Sequence, residues 1–214
     1  MAINSVLHRV IRKLIPAGID WETLVFYTLD LRHAPAPSEK TSQPLEYHII
    51  ESPEDSWLTV LCDAYPLKKF HLRMIHDCQQ CYIAVLNGQL VAYAWVTTSS
   101  CYVSEISFHL PVGPGCIYIY DCFVRADSRG MRIYNTLLSK ILTDYSLPRW
   151  PESYDTACIA VDPGNTTSMR GIKRAGFAEV ARVRYLRLWA FARWYGARGI
   201  SERMSAEPNR VVSD

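Results

Sequence analysis

The apolar positions of this chain follow two periodicities, and the switch between them is sharpest just past its middle. Cys116-Ile-Tyr-Ile-Tyr120 is a run of β-branched and aromatic residues, continued through Asp121-Cys-Phe-Val124, and it reads as a strand. The pattern stops at Ser128-Arg129-Gly130, a tight turn. Tyr134, Leu137, Leu138, Ile141, Leu142 and Tyr145 then recur every three to four residues, which puts them on one face of a helix. A second strand is predicted over Thr156–Val161, followed by Asp162-Pro-Gly-Asn165. Asn165 suits the cap of a helix start, and Gly176 suits the left-handed position that ends one. Phe177 opens a further strand.

The flanks extend the pattern. Cys81-Tyr-Ile-Ala-Val-Leu86 and Gln89-Leu-Val-Ala-Tyr-Ala-Trp-Val96, joined by Asn87-Gly88, predict a β-hairpin. A first strand of the main domain is expected at 45–50, a further antiparallel element at 104–109, and closing strands at 179–184 and 185–191. Ser52-Pro-Glu-Asp55 signals a helix start, and helices are expected over 57–64 and 67–76. Upstream, 1–14 reads as an amphipathic helix, 24–29 as a strand and 34–44 as a polar, proline-broken linker. The expected units are therefore an extension with linker (1–44), a main domain (45–195) and a flexible tail (196–214). Strands first, then strand–helix–strand–helix–strand, predict an α/β (mixed α+β) layered sheet.

Composition narrows the picture. With 214 residues and 49% hydrophobic content, the chain holds one sizeable core with at most an appendage. A net charge of +2 argues against a general nucleic-acid role. No apolar run reaches the roughly 18 residues of a membrane span, and charges interrupt residues 1–15, unlike a signal peptide. Seven cysteines, an odd number, fit reduced thiols and a cytoplasmic setting, with Cys116, Cys122 and Cys158 in core strands. Cys78-Gln-Gln-Cys81 beside His76 is a lone CxxC, so no metal is expected. Asn165-Thr-Thr167 matches a glycosylation sequon, a coincidence in that setting.

A helix that begins straight after a tight turn presents unpaired N–H groups and the positive end of its dipole, a ready anion site. Arg125, Arg129 and Arg132 crowd the same place, which suits a polyvalent anion. With Val124, Arg129-Gly130, Asn165, Ser168 and Gly176-Phe177 in these positions, the chain over about residues 45–190 resembles the GNAT superfamily of acyl-CoA-dependent N-acetyltransferases. That resemblance implies the GNAT-like fold: a central, mostly antiparallel sheet with a splayed parallel pair and flanking helices. Two features depart from the family pattern. Arg132 and Tyr134 replace the later glycines of the phosphate turn, and Ile172 stands where many relatives have a tyrosine that protonates the leaving thiolate.

The resemblance also implies roles. The amides of Gly130, Met131, Arg132, Ile133 and Tyr134, with Arg129 nearby, would hold the pyrophosphate of acetyl-CoA or another acyl-CoA. Asn165 and Ser168 would bond its pantetheine or adenine arm. Backbone amides around Phe123 and Val124 would polarise the thioester carbonyl. Asp121 is the first candidate for the base, with a pKa raised if burial surrounds it; Glu105 and His109 are runners-up. Tyr134 or Tyr120 would stand in as the acid. The expected acceptor is the primary amine of a small molecule, with an amino sugar suggested by analogy only. Two other readings stay open: a longer-chain N-acyltransferase taking its acyl group from an acyl-carrier protein or acyl-CoA, with residues 186–195 lining a tunnel or touching a membrane, and an inactive CoA- or partner-binding module. A homodimer is the other partner left open.

Overall fold

The structure, a computed structural model, describes residues 19–34, 44–68, 70–74, 79–147, 153–188 and 191–196. In chain order the strands are β1 (Ile19–Asp30), β2 (Glu46–Ile50), β3 (Gln79–Leu86), β4 (Gln89–Thr97), β5 (Cys101–Val103), β6 (Phe108–Leu110), β7 (Cys116–Val124), β8 (Thr156–Val161), β9 (Ala178–Leu188) and β10 (Phe191–Tyr195). The helices among the described residues are α1 (Ser56–Ala64), α2 (Ile133–Ser146) and α3 (Thr166–Arg174). Eight strands form one sheet in the order β10-β9-β1-β8-β7-β4-β3-β2, and β5 and β6 form a separate hairpin. Every neighbouring pair is antiparallel except β7 and β8. This is the mixed sheet that the order of elements predicts, with the one parallel pair that the family resemblance implies.

Both faces of the sheet are covered. One packs on α2 and α3 through Leu137, Leu138, Ile141, Tyr145 and Ile172. The other carries the β5–β6 hairpin, through Val103, Ile106 and Leu110, and α1, through Leu58 and Leu61. The β3–β4 hairpin turns at Asn87 and Gly88, with φ of 51° and 75°, as an Asn-Gly turn requires.

The largest difference from the sequence reading concerns the extension. β1 is an inner strand, paired with β9 from Ile19 to Thr28 and along its second half with β8. Both partners run antiparallel to it, so the β8–α3–β9 crossover leaves a slot between two parallel strands and β1 fills it. Val25, Phe26 and Tyr27 are fully buried, as in a strand covered on both faces. The boundary expected at 44 therefore does not separate an appendage from the sheet. Of the rest of that extension, the helix at 1–14 and most of the linker lie outside the described residues, as does the tail beyond Gly196.

Smaller differences follow local geometry. Residues 66–68 and 70–72 form two short 3₁₀ turns instead of a helix. The element expected at 104–109 is instead a 3₁₀ turn, a left-handed Ser107 (φ 46°) and β6. The closing strands divide at 188–191, with β9 continuous across 184/185 and β10 at the sheet edge. No helix among the described residues is long and apolar enough to cross a membrane.

Candidate active site

β7 and β8 are paired only at their beginnings, Cys116–Ile119 against Thr156–Ile159. Beyond that they part. A bulge in β7 accompanies the parting: Asp121 has a φ of 43°, and the ladder with β4 slips between Tyr93 and Trp95. Bulges bend a strand and re-aim its side chains. The gap opens into a cavity of about 930 Å³. Tyr120, Asp121 and Cys122 line it from β7, and Ile159 to Asp162 from the end of β8. Tyr134, Asn165, Ser168 and Ile172 close one end, while the opposite end is built from Ser99 to Glu105, His109, Lys68 and Arg73.

The first end starts at the turn. Gly130 and Arg132 have φ of 86° and 63°, and this curl makes successive amides converge, as in backbone nests that hold anions. The Thr136 amide donates to the Arg132 carbonyl at 3.1 Å, the first bond of α2. The amides of Ile133, Tyr134 and Asn135 lie ahead of it without an intrahelical acceptor. The backbone thus fits a pyrophosphate despite the missing glycines. Arg132 takes a left-handed conformation that costs a non-glycine residue roughly 1–2 kcal/mol.

The three arginines divide their work. Arg125 is committed to Asp127 (2.7 Å) and Gln89 (3.0 Å). Arg129 Nε donates to the Val124 carbonyl at 3.3 Å, bracing the turn against the end of β7. Arg132 is exposed at the helix start. Ile133 is core, so only its amide is available, and Met131 packs against the same core.

Tyr134, the bulkier departure, is accommodated by α3. A Cβ added to Gly171 would stand 2.7 Å from the Tyr134 ring, so glycine at 171 makes room for tyrosine at 134. Burial pushes the Tyr134 phenol well above its usual range, with a smaller push from Cys122, which keeps it protonated. Asn165 caps α3 as expected, accepting from the Ser168 amide at 3.1 Å. Tyr120 donates its hydroxyl to Gln79 at 2.7 Å.

On β7, Arg125 donates its amide to Val91 of β4 at 2.8 Å. The alternation of an antiparallel ladder then turns the Val124 amide to the gap and the Phe123 amide toward β4. The Phe123 ring stacks on Tyr93 at 5.4 Å and meets Tyr65 edge-on at 5.1 Å, as a core residue.

The second end centres on Asp121. Lys68 Nζ donates to its Oδ1 at 3.1 Å, and Arg73 Nη2 stands 2.8 Å from Oδ2. The Arg73 guanidinium sits 5.2, 5.1 and 5.4 Å from the ring centres of Phe70, Trp95 and Tyr120, in cation–π contact with all three. The apolar burial expected around Asp121 is replaced by two cations. Glu105, bonded by Ser104 at 3.1 Å, and His109, its ring tilted against Tyr102 at 4.9 Å, are exposed at the rim.

One cavity therefore collects Asp121, Glu105, Tyr134, Asn165, Ser168 and the runner-up His109. Val124, Arg129, Gly130, Met131, Arg132 and Ile133 form the segment that leads from it into α2. Sequence reasoning missed Lys68 and Arg73, whose neighbours carry no motif. No group of metal-ligating side chains occurs among the described residues. Cys81 is buried in β3, and His76 and Cys78 lie outside the described residues.

Comparison with known proteins agrees with this geometry. A family model described as the acetyltransferase (GNAT) family matches residues 43–177. No curated protein matches the chain. A GCN5-related N-acetyltransferase from Kribbella flavida is similar in structure, with a TM-score of 0.54 and 12% identity over 84% of this chain and 63% of that one. A Drosophila protein gives 0.53 and 14% over 87% and 57%. A GNAT-family protein from Novosphingobium aromaticivorans gives 0.50 and 15% over 81% and 67%. The chain spans less than two thirds of the first two, and at these identities the likeness shows the fold.

Proposed function

The chain belongs to the acetyltransferase (GNAT) family, and from that premise we propose that it is an acyl-CoA-dependent N-acyltransferase. It moves acetyl from acetyl-CoA to the primary amine of a small molecule by direct attack in a ternary complex. One observation carries this reading: β7 parts from β8 after Ile119 and Ile159, next to a helix start whose amides await an anion. A cofactor arm laid in that gap meets unpaired strand edges, and its phosphates meet the turn.

The residues divide the chemistry. The amides from Gly130 to Tyr134 hold the pyrophosphate, with Arg132 adding charge. Asn165 and Ser168 border the pantetheine path. The bound acyl-CoA supplies a thioester carbonyl, and the Val124 amide is placed to stabilise the oxyanion, an effect of about 3–4 kcal/mol for one well-aimed donor. Asp121 takes one proton from the acceptor's ammonium, which frees the amine to attack, and the second nitrogen proton goes to the departing thiolate or to solvent. The new C–N bond forms as the C–S bond breaks. A CoA thiol, with a pKa near that of free cysteine at about 8.5, leaves largely without help. Tyr134, kept protonated by burial, is the donor on hand where Ile172 offers none.

The test is a thermal-shift titration with CoA and acetyl-CoA on the natural chain and on an Arg129→Ala/Gly130→Ala variant. The natural chain is expected to gain melting temperature with ligand concentration. The variant is expected to keep its far-UV circular dichroism and lose the gain. Equal gains in both would remove the phosphate turn from the assignment, and no gain in the natural chain would end the transferase reading.

A further inference from the structure

Two polar atoms in the cavity are buried and have no hydrogen-bond partner among the described residues: Arg73 Nη1 and Asp121 Oδ2. One is a donor and the other an acceptor, on side chains that touch. The contact between Arg73 Nη2 and Asp121 Oδ2 is close, at 2.8 Å, but not aligned as a hydrogen bond, so Oδ2 keeps its capacity to accept one. Both side chains line the cavity and retain 27% and 19% exposure, and the two orphaned atoms themselves lie beneath its wall, where a ligand meets them once the side chains turn. Lys68, 48% exposed, uses one of its three protons on Asp121 Oδ1. A polar atom that is buried without a hydrogen bond destabilises the fold unless something completes it. Leaving two in adjacent positions is the arrangement of a site that awaits a ligand bearing both kinds of partner.

The charges specify that ligand. Lys68, Arg73 and Asp121 sum to one excess positive charge where they meet, and the carboxylate of Glu105 stands at the exposed rim of the same end. The ring cage of Phe70, Trp95 and Tyr120 holds the guanidinium in place, so little freedom is lost when it binds. Resting on the transferase reading above, we propose that the acceptor carries a carboxylate next to its amine, as an α-amino acid does. The ammonium bonds Asp121 Oδ2, where its proton is to be removed, and the carboxylate bonds Arg73 Nη1 and Lys68 Nζ. An amino sugar satisfies Asp121 but brings no anion to Lys68 and Arg73.

Acyl transfer from acetyl-CoA is measured on a panel of α-amino acids, on the α-amides of the same amino acids and on amino sugars, using the natural chain, Arg73→Gln and Lys68→Met. CoA binding is followed in parallel. The natural chain is expected to favour at least one amino acid over its amide by roughly 10- to 100-fold in kcat/KM, the worth of a hydrogen-bonded charge. Both variants are expected to shrink that ratio, mainly through KM of the amino acid. Lys68 is half-exposed, so Lys68→Met tests the idea even if Arg73→Gln does not fold. Amides or amino sugars used as well as amino acids, or a ratio unmoved by Lys68→Met, would overturn the carboxylate site and leave the transferase intact. CoA binding with no transfer to any amine would overturn both.

Discussion

The two ends of the cavity are built in different ways. The end assigned to the donor comes from stretches of contiguous chain: the strand, turn and helix start from Val124 to Asn135, and the capped start of α3 at Asn165. The end assigned to the acceptor joins Asp121 to Lys68 and Arg73 from a separate segment, and to a hairpin that contributes Glu105 and His109. Local chemistry sets the first, because free amides at a helix start bind anions wherever the turn occurs. Packing sets the second, because Lys68 and Asp121 are 53 residues apart and meet only in the folded chain. A substitution at the donor end should act on one ligand, while one at the acceptor end should unsettle several charges at once.

The sharpest way to break the comparison is to remove what both ends share. Deleting residues 1–44 takes away β1, which separates β8 from β9 and buries Val25, Phe26, Tyr27 and Leu29. At about 1.5–3 kcal/mol for each large apolar side chain, and with two ladders lost, the deletion exceeds much of a typical net stability of about 5–15 kcal/mol. The shortened chain is expected to lack a cooperative thermal transition and to bind no CoA. A folded, CoA-binding fragment would show that 45–195 is a unit by itself and that β1 is ornament.

The next test separates the ends. Asp121→Asn removes the carboxylate but keeps a residue at ease with a left-handed backbone, so the bulge is expected to persist. Turnover should fall about 100-fold or more if Asp121 takes the proton, while the CoA-induced rise in melting temperature stays as it was. A near-normal kcat would free Asp121 from the chemistry and point to Glu105 or His109 at the rim. Loss of CoA binding would mean that the two ends are coupled through the bulge.

The same division explains what could be read in advance. The β3–β4 hairpin, β7, β8, the Asn165 cap and the turn at Gly130 rest on neighbouring residues, and period and turn chemistry predict them. The apolar run from Leu24 to Leu29 announces a buried strand, but no local signal says that its partners are β8 and β9, more than a hundred residues away. The bulge at Asp121 is likewise hidden, since an aspartate within a strand pattern does not declare a φ of 43°. Lys68 and Arg73 sit in short 3₁₀ turns and their vicinity, where periodicity carries little information. The Gly171–Tyr134 contact shows an intermediate case: each residue looks like an isolated oddity, and only their proximity makes one the condition of the other.

The smallest effect is the most telling for the donor end, because there local rules and the observed residue disagree. Arg132 occupies a backbone with φ 63° and ψ 11°, where glycine rests without strain. Arg132→Gly relieves roughly 1–2 kcal/mol of left-handed strain but adds back about 0.5–1 kcal/mol of unfolded-chain entropy. The variant is therefore expected to melt slightly higher than the natural chain. If the guanidinium pairs with a CoA phosphate, affinity should drop roughly 10-fold, the worth of a charge-assisted bond, and its dependence on salt should weaken. Those two changes in opposite directions would identify Arg132 as a strained residue kept for its charge. A gain in stability with unaltered affinity would leave the backbone amides as the whole of the phosphate site, with the arginine a tolerated substitution for glycine.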